Sequence, residues 1–257
     1  MRVIKAIGWE LECGSDYHSD SIVRAVRKFN LKDCEVVDDG SVGVDDCQYS
    51  STEIRLGGDT KSVINAGVSL MENDYAIQNS SCGNHIHVFF TRVSDRKLWT
   101  WRNPQERFIG RYKRDFHENN KYLKRLTESY SRWFGYNLGE AIAGVTGRSD
   151  GSRYRAINMY SLRKHGSVEF RILPYFENAK EARKSIEWLL DAIIYITRTT
   201  TAMDNKDFGA ERLCENFYDE ELYQAIECNT VEKLKSPGSI EVSAMRKAMC
   251  CEVGELK

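Results

Sequence analysis

The 257-residue chain balances 37 Lys and Arg against 38 Asp and Glu, and 41% of it is hydrophobic. Near-neutral charge argues against a protein built around a polyanion, three prolines and an ordinary apolar share argue against disorder, and the length suits one large domain. The opening MRVIKAIGWELECG interleaves charges with apolar residues and lacks a signal-peptide core, and no later stretch reaches a membrane span, so the chain reads as cytoplasmic. Its eight cysteines are scattered without a CxxC pair and read as reduced, small core residues rather than zinc ligands or a disulfide framework.

Residues 2 to 13 alternate as a strand should, with Val3, Ile7, Trp9 and Leu11 on one face and Ile4, Ala6, Glu10 and Glu12 on the other. From Asp16 to Leu31, Ile22, Val23, Val26 and Phe29 recur at helical spacing behind a serine-rich, acidic start that predicts capping. Asp39-Gly40-Ser41 is turn chemistry, TEIRL predicts a second strand, and Ser62 to Tyr75 a helix. A loop then enters Cys82-Gly83-Asn84-His85-Ile86-His87-Val88-Phe89-Phe90, whose alternation and β-rich composition predict a strand with His85 and His87 on one side.

Residues 92 to 134 change character, with twelve Lys or Arg against five Asp or Glu, interleaved with Trp99, Trp101, Phe108, Tyr112, Phe116, Tyr122 and Trp133. Helices are expected there, as an insertion running to about residue 150. YRAINMYS and GSVEFRIL predict a hairpin whose connection holds Gly166, a residue able to take positive φ. Ala179 to Thr200 is an amphipathic helix with Ala182, Ile186, Leu189, Leu190, Ile193, Ile194 and Ile196 in its stripe, and the tail after Met203 is acidic, helical and broken at Pro237-Gly238.

Four strand-like segments place chemically active residues two apart: Glu10 with Glu12, Glu53 with Arg55, His85 with His87, and Glu169 with Arg171. Strand period puts each pair on one face, so neighbouring strands would gather them on a single polar surface. Grouped carboxylates are costly to bury unless a cation neutralises them, Mg²⁺ prefers oxygen ligands, and Arg171 and Arg153 offer planar donors for phosphate. Each piece alone has a plainer reading: a solvated strand face for Glu10 and Glu12, satisfied histidines for HxH, and a cross-strand ion pair for Glu169 and Arg171. The combination is what points to phosphoryl-transfer chemistry.

The ordered set GWELE, DDGS, STEI, CGNHIHV, RYRAIN and SVEFRI, spanning residues 4 to 175, resembles the motif series of the predicted amidoligases, relatives of glutamine synthetase and glutamate-cysteine ligase. The resemblance implies an α+β fold in which a curved, mainly antiparallel sheet of the glutamine synthetase-like type holds ATP and Mg²⁺, with packed helices and a helical C-terminal region from about 177 to 257. It implies Glu10, Glu12, Glu53, His85 and Glu169 as metal ligands. It further implies His85, Arg153, Asn158 and Arg171 around ATP, and Arg171, Arg153 and Glu53 in catalysis. His87 and Cys82 match motif positions without an assigned role. The implied partners are carboxylate and amine substrates, small molecules or peptides, joined through an acyl phosphate. Two departures stand out: Arg55-Leu56-Gly57-Gly58 follows Glu53 where a small residue and proline are usual, and Asn84 replaces an apolar residue. Three other readings stay open: a guanidino-kinase-like phosphotransferase on the same sheet, nucleic-acid binding through the basic aromatic segment 92 to 134, and a scaffold that kept the fold without catalysis.

Overall fold

The computed structural model describes residues 2–43, 49–99, 102–127, 131, 155–159, 161 and 165–200. In chain order they form β1 (Ile4–Ser15), α1 (Ser19–Val26), a 3₁₀ turn (Arg27–Phe29), β2 (Asp33–Asp38), β3 (Ser50–Gly58), α2 (Thr60–Glu72), β4 (Gly83–Phe90), α3 (Val93–Leu98), α4 (Arg102–Asp115), α5 (Asn120–Arg125), β5 (Ile157–Asn158), β6 (Val168–Pro174) and α6 (Ala179–Thr199). The strands make one six-stranded sheet in the order β2-β3-β1-β4-β6-β5, with every neighbouring pair antiparallel. This confirms a mixed α+β architecture around an open antiparallel sheet.

One face of the sheet is apolar and lies under helices. Ile7, Trp9 and Leu11 of β1, Ile54 and Leu56 of β3, Ile86 and Val88 of β4, and Phe170 and Ile172 of β6 are all buried, as alternation requires. The stripe on α6 runs Ala182, Ile186, Leu189, Leu190, Ile193 and Ile196, all buried, while Ile194 is only partly covered. Helix α2 approaches β1 so closely that a Cβ on Gly67 would lie 2.0 Å from a ring carbon of Trp9, which explains a glycine inside a helix. The helix starts at Thr60, two residues earlier than expected, because Asp59 caps it by accepting from the Lys61 and Ser62 amides at 3.1 and 3.2 Å.

Several local expectations are corrected. The first helix ends at Val26, passes into the 3₁₀ turn and stops at Asn30 with φ 52°, and its N-cap is His18 with no side-chain cap hydrogen bond, so the preceding serine and aspartate do not cap it. Pairing between β1 and β4 shifts register between Ile4 and Ala6, so Ile4 joins the core beside Val3 instead of following the face of Glu10. The edge strand β2 has no counterpart in the sequence reading, because DCEVVD is only half covered and lacks a clean apolar alternation. The hairpin forms, with Gly166 at φ 71°, but β5 is two residues long where a full strand was expected.

The helices expected after residue 92 are present as α3, α4 and α5. Their aromatics face inward: Trp99, Phe108 and Tyr112 are 0% exposed and Tyr122 1%, while Phe116 is partly buried. Rings enclosed in this way cannot stack on bases, which removes the feature that favoured nucleic-acid contact for these residues. Trp101, Trp133, residues 128–130 and 132–150 of the expected insertion, and the tail after Met203 lie outside the described residues. Among the described residues no helix is long and apolar enough to cross a membrane.

Candidate metal and anion site

The register of the four central strands assembles the polar face. Across β1 and β3 Glu12 stands opposite Glu53 and Glu10 opposite Arg55; across β1 and β4 Glu10 stands opposite His85; across β4 and β6 His87 stands opposite Glu169; and β5 brings Asn158 opposite Glu169. All of these, with Arg171, line one cavity of about 450 Å³. Glu12, Glu53 and Glu169 are 8%, 8% and 4% exposed, and His85 2%. Of the site residues taken from the sequence, Glu10, Glu12, Glu53, His85, Asn158, Glu169 and Arg171 therefore converge, whereas Arg153 lies outside the described residues.

His85 sits at the centre. Its Nδ1 is 3.0 Å from Glu10 Oε2 and 3.8 Å from Glu169 Oε1, and its Nε2 is 3.3 Å from Glu12 Oε1. Two sets of potential ligands share it, Glu10 with Glu169 and Glu12 with Glu53, the ligand atoms of each set lying within 4.8 Å of one another. A neutral imidazole presents one lone pair, so it can serve one ion at a time and leaves a second ion to carboxylates. Glu12 and Glu53 are like charges directly opposed and buried, an arrangement that costs stability unless a cation lies between them. Four carboxylates with one imidazole fit a hard divalent ion such as Mg²⁺ or Mn²⁺.

Partners around the acids hold them in place. Glu10 accepts from both histidines, at 3.0 Å each, and the opposite nitrogen of His87 meets Ser161 and Ser167 at 2.9 and 3.0 Å. Burial opposes the charge on Glu10, yet the two histidines hold its carboxyl well below the usual carboxylate range. For His87, burial favours the neutral ring, but Glu10 and then Glu169 outweigh it and raise its pKa. His87 thereby gains the role the sequence left open, as a residue that orients Glu10. Burial, then the charge of Glu10, pushes Glu53 upward despite its hydrogen bond from Arg55 at 2.5 Å. Glu169 accepts from Asn158 at 2.5 Å and from Arg171 at 2.7 Å, so Asn158 is first a partner of that carboxylate.

The two departures from the motif pattern acquire physical explanations. Arg55 bridges Glu53 and Glu35 of β2, which closes the β3 edge of the site. Asn84 is 0% exposed and sits in a closed amide network: it accepts from the Trp9 indole at 2.9 Å and donates to Gln78 at 3.1 Å and to the Pro174 carbonyl at 2.7 Å. Gln78 in turn donates to the Glu12 carbonyl at 2.6 Å, tying the network to the backbone that carries a proposed ligand. Cys82 is buried with its pKa pushed up to about 11, mainly by burial, so at neutral pH it is a packed thiol and not a thiolate nucleophile. Cys13, Cys34 and Cys82 are free.

A second groove of about 340 Å³ adjoins the first and is lined in part by Gly8, Asp33, Gly57 and Phe89. It shares Glu10, Arg55, His87 and His165 with the first cavity. Sequence reasoning missed Arg125, Ser161, Ser167 and His165 because each reaches the site from a helix or connection outside the paired-residue strands. No protein-family model and no curated protein matches the chain.

Proposed function

We propose that the protein is an ATP- and Mg²⁺-dependent carboxylate-amine ligase built on a glutamine synthetase-like sheet, forming an amide through an acyl phosphate. One observation carries the reading: four adjacent antiparallel strands bring Glu10, Glu12, Glu53, His85, Glu169 and Arg171 to a single cavity, in the motif order that first suggested it. Bound Mg²⁺ would neutralise phosphoryl oxygens, with Glu12, Glu53 and His85 as one ligand set and Glu10 with Glu169 as the other. Arg171, held by Glu169, offers a rigid fork for charge on the transferring group. In this reaction a substrate carboxylate oxygen attacks the γ-phosphorus, the bond to the β-phosphate oxygen breaks and ADP leaves. The amine nitrogen then attacks the acyl carbon, phosphate departs with the bonding electrons and the amine gives up a proton. The adjoining groove gives room for the second substrate beside the reacting carboxylate.

The test is phosphate release by purified protein with ATP, Mg²⁺ and pooled carboxylates and amines, with products identified by mass spectrometry. Release is expected only when both substrate classes are present. ATP consumed without free phosphate, with the phosphoryl group retained on an acceptor, would instead identify a kinase on the same site.

A further inference from the structure

Amide formation releases a proton from the attacking amine, and a group at the site has to take it. That group must stand where the groove assigned to the second substrate opens into the metal cavity. Among the described residues four line both spaces: Glu10, Arg55, His87 and His165. Every other lining carboxylate among them belongs to the groove or to the cavity alone.

Three of the four are committed elsewhere. The Glu10 carboxylate meets His85 through one oxygen and His87 through the other, at 3.0 Å each, and is a proposed metal ligand. Arg55 is a guanidinium, which accepts no proton, and it is paired with Glu35 and Glu53. His87 is 7% exposed with both ring nitrogens engaged, Nε2 by Glu10 and Nδ1 by the hydroxyls of Ser161 and Ser167.

His165 is placed differently. It belongs to the connection between β5 and β6, which is tied down at His87: the Ser161 and Ser167 hydroxyls lie 2.7 Å apart and both reach Nδ1 of that ring. The Gly166 carbonyl accepts from Arg96 of α3 at 3.4 Å, and Gly166 at φ 71° turns the chain directly after His165. With its neighbours fixed in this way, the His165 ring stands edge-on to His87, centroids 5.4 Å apart, on the wall shared by cavity and groove, while the residue remains exposed. Histidine is the side chain whose ordinary titration range spans neutral pH, and one ring nitrogen suffices for the transfer while a hydrogen bond at the other sets the tautomer.

We propose that His165 is the base of amide formation. The inference rests on the ligase reading for the reaction, and on the position of His165 between the two spaces for the role. In this step the amine nitrogen bonds to the acyl carbon and the proton it carries passes to an imidazole nitrogen of His165. The bond from the acyl carbon to the phosphate oxygen breaks, and its electron pair leaves with phosphate. The imidazolium then gives its proton to water on its exposed side.

The test compares two nucleophiles on the full chain with ATP, Mg²⁺ and pooled carboxylates: pooled primary amines, whose adducts need a base, and hydroxylamine, a weakly basic nucleophile that traps acyl phosphates as hydroxamates with little help from one. In His165→Gln and His165→Ala, amide formation from the amine pool should fall about 10²- to 10⁴-fold, the range of general acid–base catalysis, while hydroxamate formation stays near the wild-type level. Added imidazole should restore part of the amide rate in His165→Ala. A second readout needs no turnover. In protein carrying ¹³C-labelled histidine, with Mg²⁺ but no ATP and at constant pH, the amine pool should shift the His165 ring resonances, identified by their absence in His165→Gln. His117, whose side chain is 70% exposed and lines neither space, should not respond. Amide formation unchanged in the variants, or lost equally with hydroxamate formation, overturns the base role and leaves the ligase standing, as does a His165 signal that ignores the amines. A wild type that makes neither amide nor hydroxamate refutes the ligase reading, and the base role falls with it.

Discussion

Replacing Glu53 by Gln separates a metal site from a solvated strand face through a reversal in the order of stability. The β1–β3 register sets Glu53 opposite Glu12, both 8% exposed, and burial and Glu10 raise the Glu53 pKa, so the metal-free protein holds this charge at a cost. Directly opposed like charges destabilise a sheet by about 0.2–1 kcal/mol. The ion pair with Arg55 works against this, but the Arg55 side chain is 44% exposed, so that pair contributes at the low end of the roughly 0–1 kcal/mol range for surface pairs. Without metal, Glu53→Gln should therefore melt about 1–3 °C above the wild type, taking roughly 2–4 °C per kcal/mol at this chain length. With Mg²⁺ at about 100 times its dissociation constant, the wild type gains about 2.7 kcal/mol, or roughly 5–10 °C. The variant should lose most of that gain, so the order of the two proteins inverts. Scanning calorimetry in EDTA and across a Mg²⁺ titration reads both halves. A variant that is less stable in EDTA and responds to Mg²⁺ as the wild type does would refute the shared-cation argument.

Arg171→Lys keeps the positive charge but removes the fork bound to Glu169, so phosphate release should fall about 10²- to 10³-fold while the melting temperature changes little. Turnover near the wild-type level would reduce Arg171 to a structural partner. His87→Gln removes one of the two imidazoles orienting Glu10 and should weaken Mn²⁺ binding by about 10- to 100-fold, measured by calorimetry; unchanged affinity would exclude a positioning role. Gly67→Ala would stabilise an exposed helix, but here the added carbon meets Trp9, so it should destabilise by about 1–3 kcal/mol or more; a raised melting temperature would contradict the close packing of α2 on β1.

What the sequence made legible follows the period of its strands. Glu10, Glu12, His85, His87 and Glu169 could be read because each lies two residues from another active group, and the antiparallel register converts that spacing into one surface. The α6 stripe was legible for the equivalent reason at helical period. Contributions carried by single residues were not. Arg125 is one arginine among twelve basic residues in its segment, and only the anchoring of α5 by Tyr112 and Tyr122 distinguishes it from its solvated neighbours. Asn84 read as a departure because its four-way amide network joins residues 75 and 90 positions away, beyond any local pattern. The edge strand β2 was obscured because an edge strand needs little apolar alternation to pair.

The hydrogen-bond geometry around His85 also sets a limit on the plainer account of the face as an ion-pair network. Glu10, Glu12 and Glu169 all approach this one ring, two of them toward Nδ1 and one toward Nε2. A neutral imidazole donates a single hydrogen and an imidazolium two, so three carboxylates cannot all be satisfied by it. Glu169 has Arg171 and Asn158, Glu10 has His87, and Glu12 faces Glu53 with His85 and the Gly83 amide among its neighbours. Arg55 pairs Glu53 with Glu35 of the neighbouring strand β2. A sheet evolved only for stability would gain by replacing one of these two acids, because an apolar or amide side chain of similar volume removes the repulsion without leaving a buried charge unpaired. The proposed divalent cation between them would account for keeping both acids.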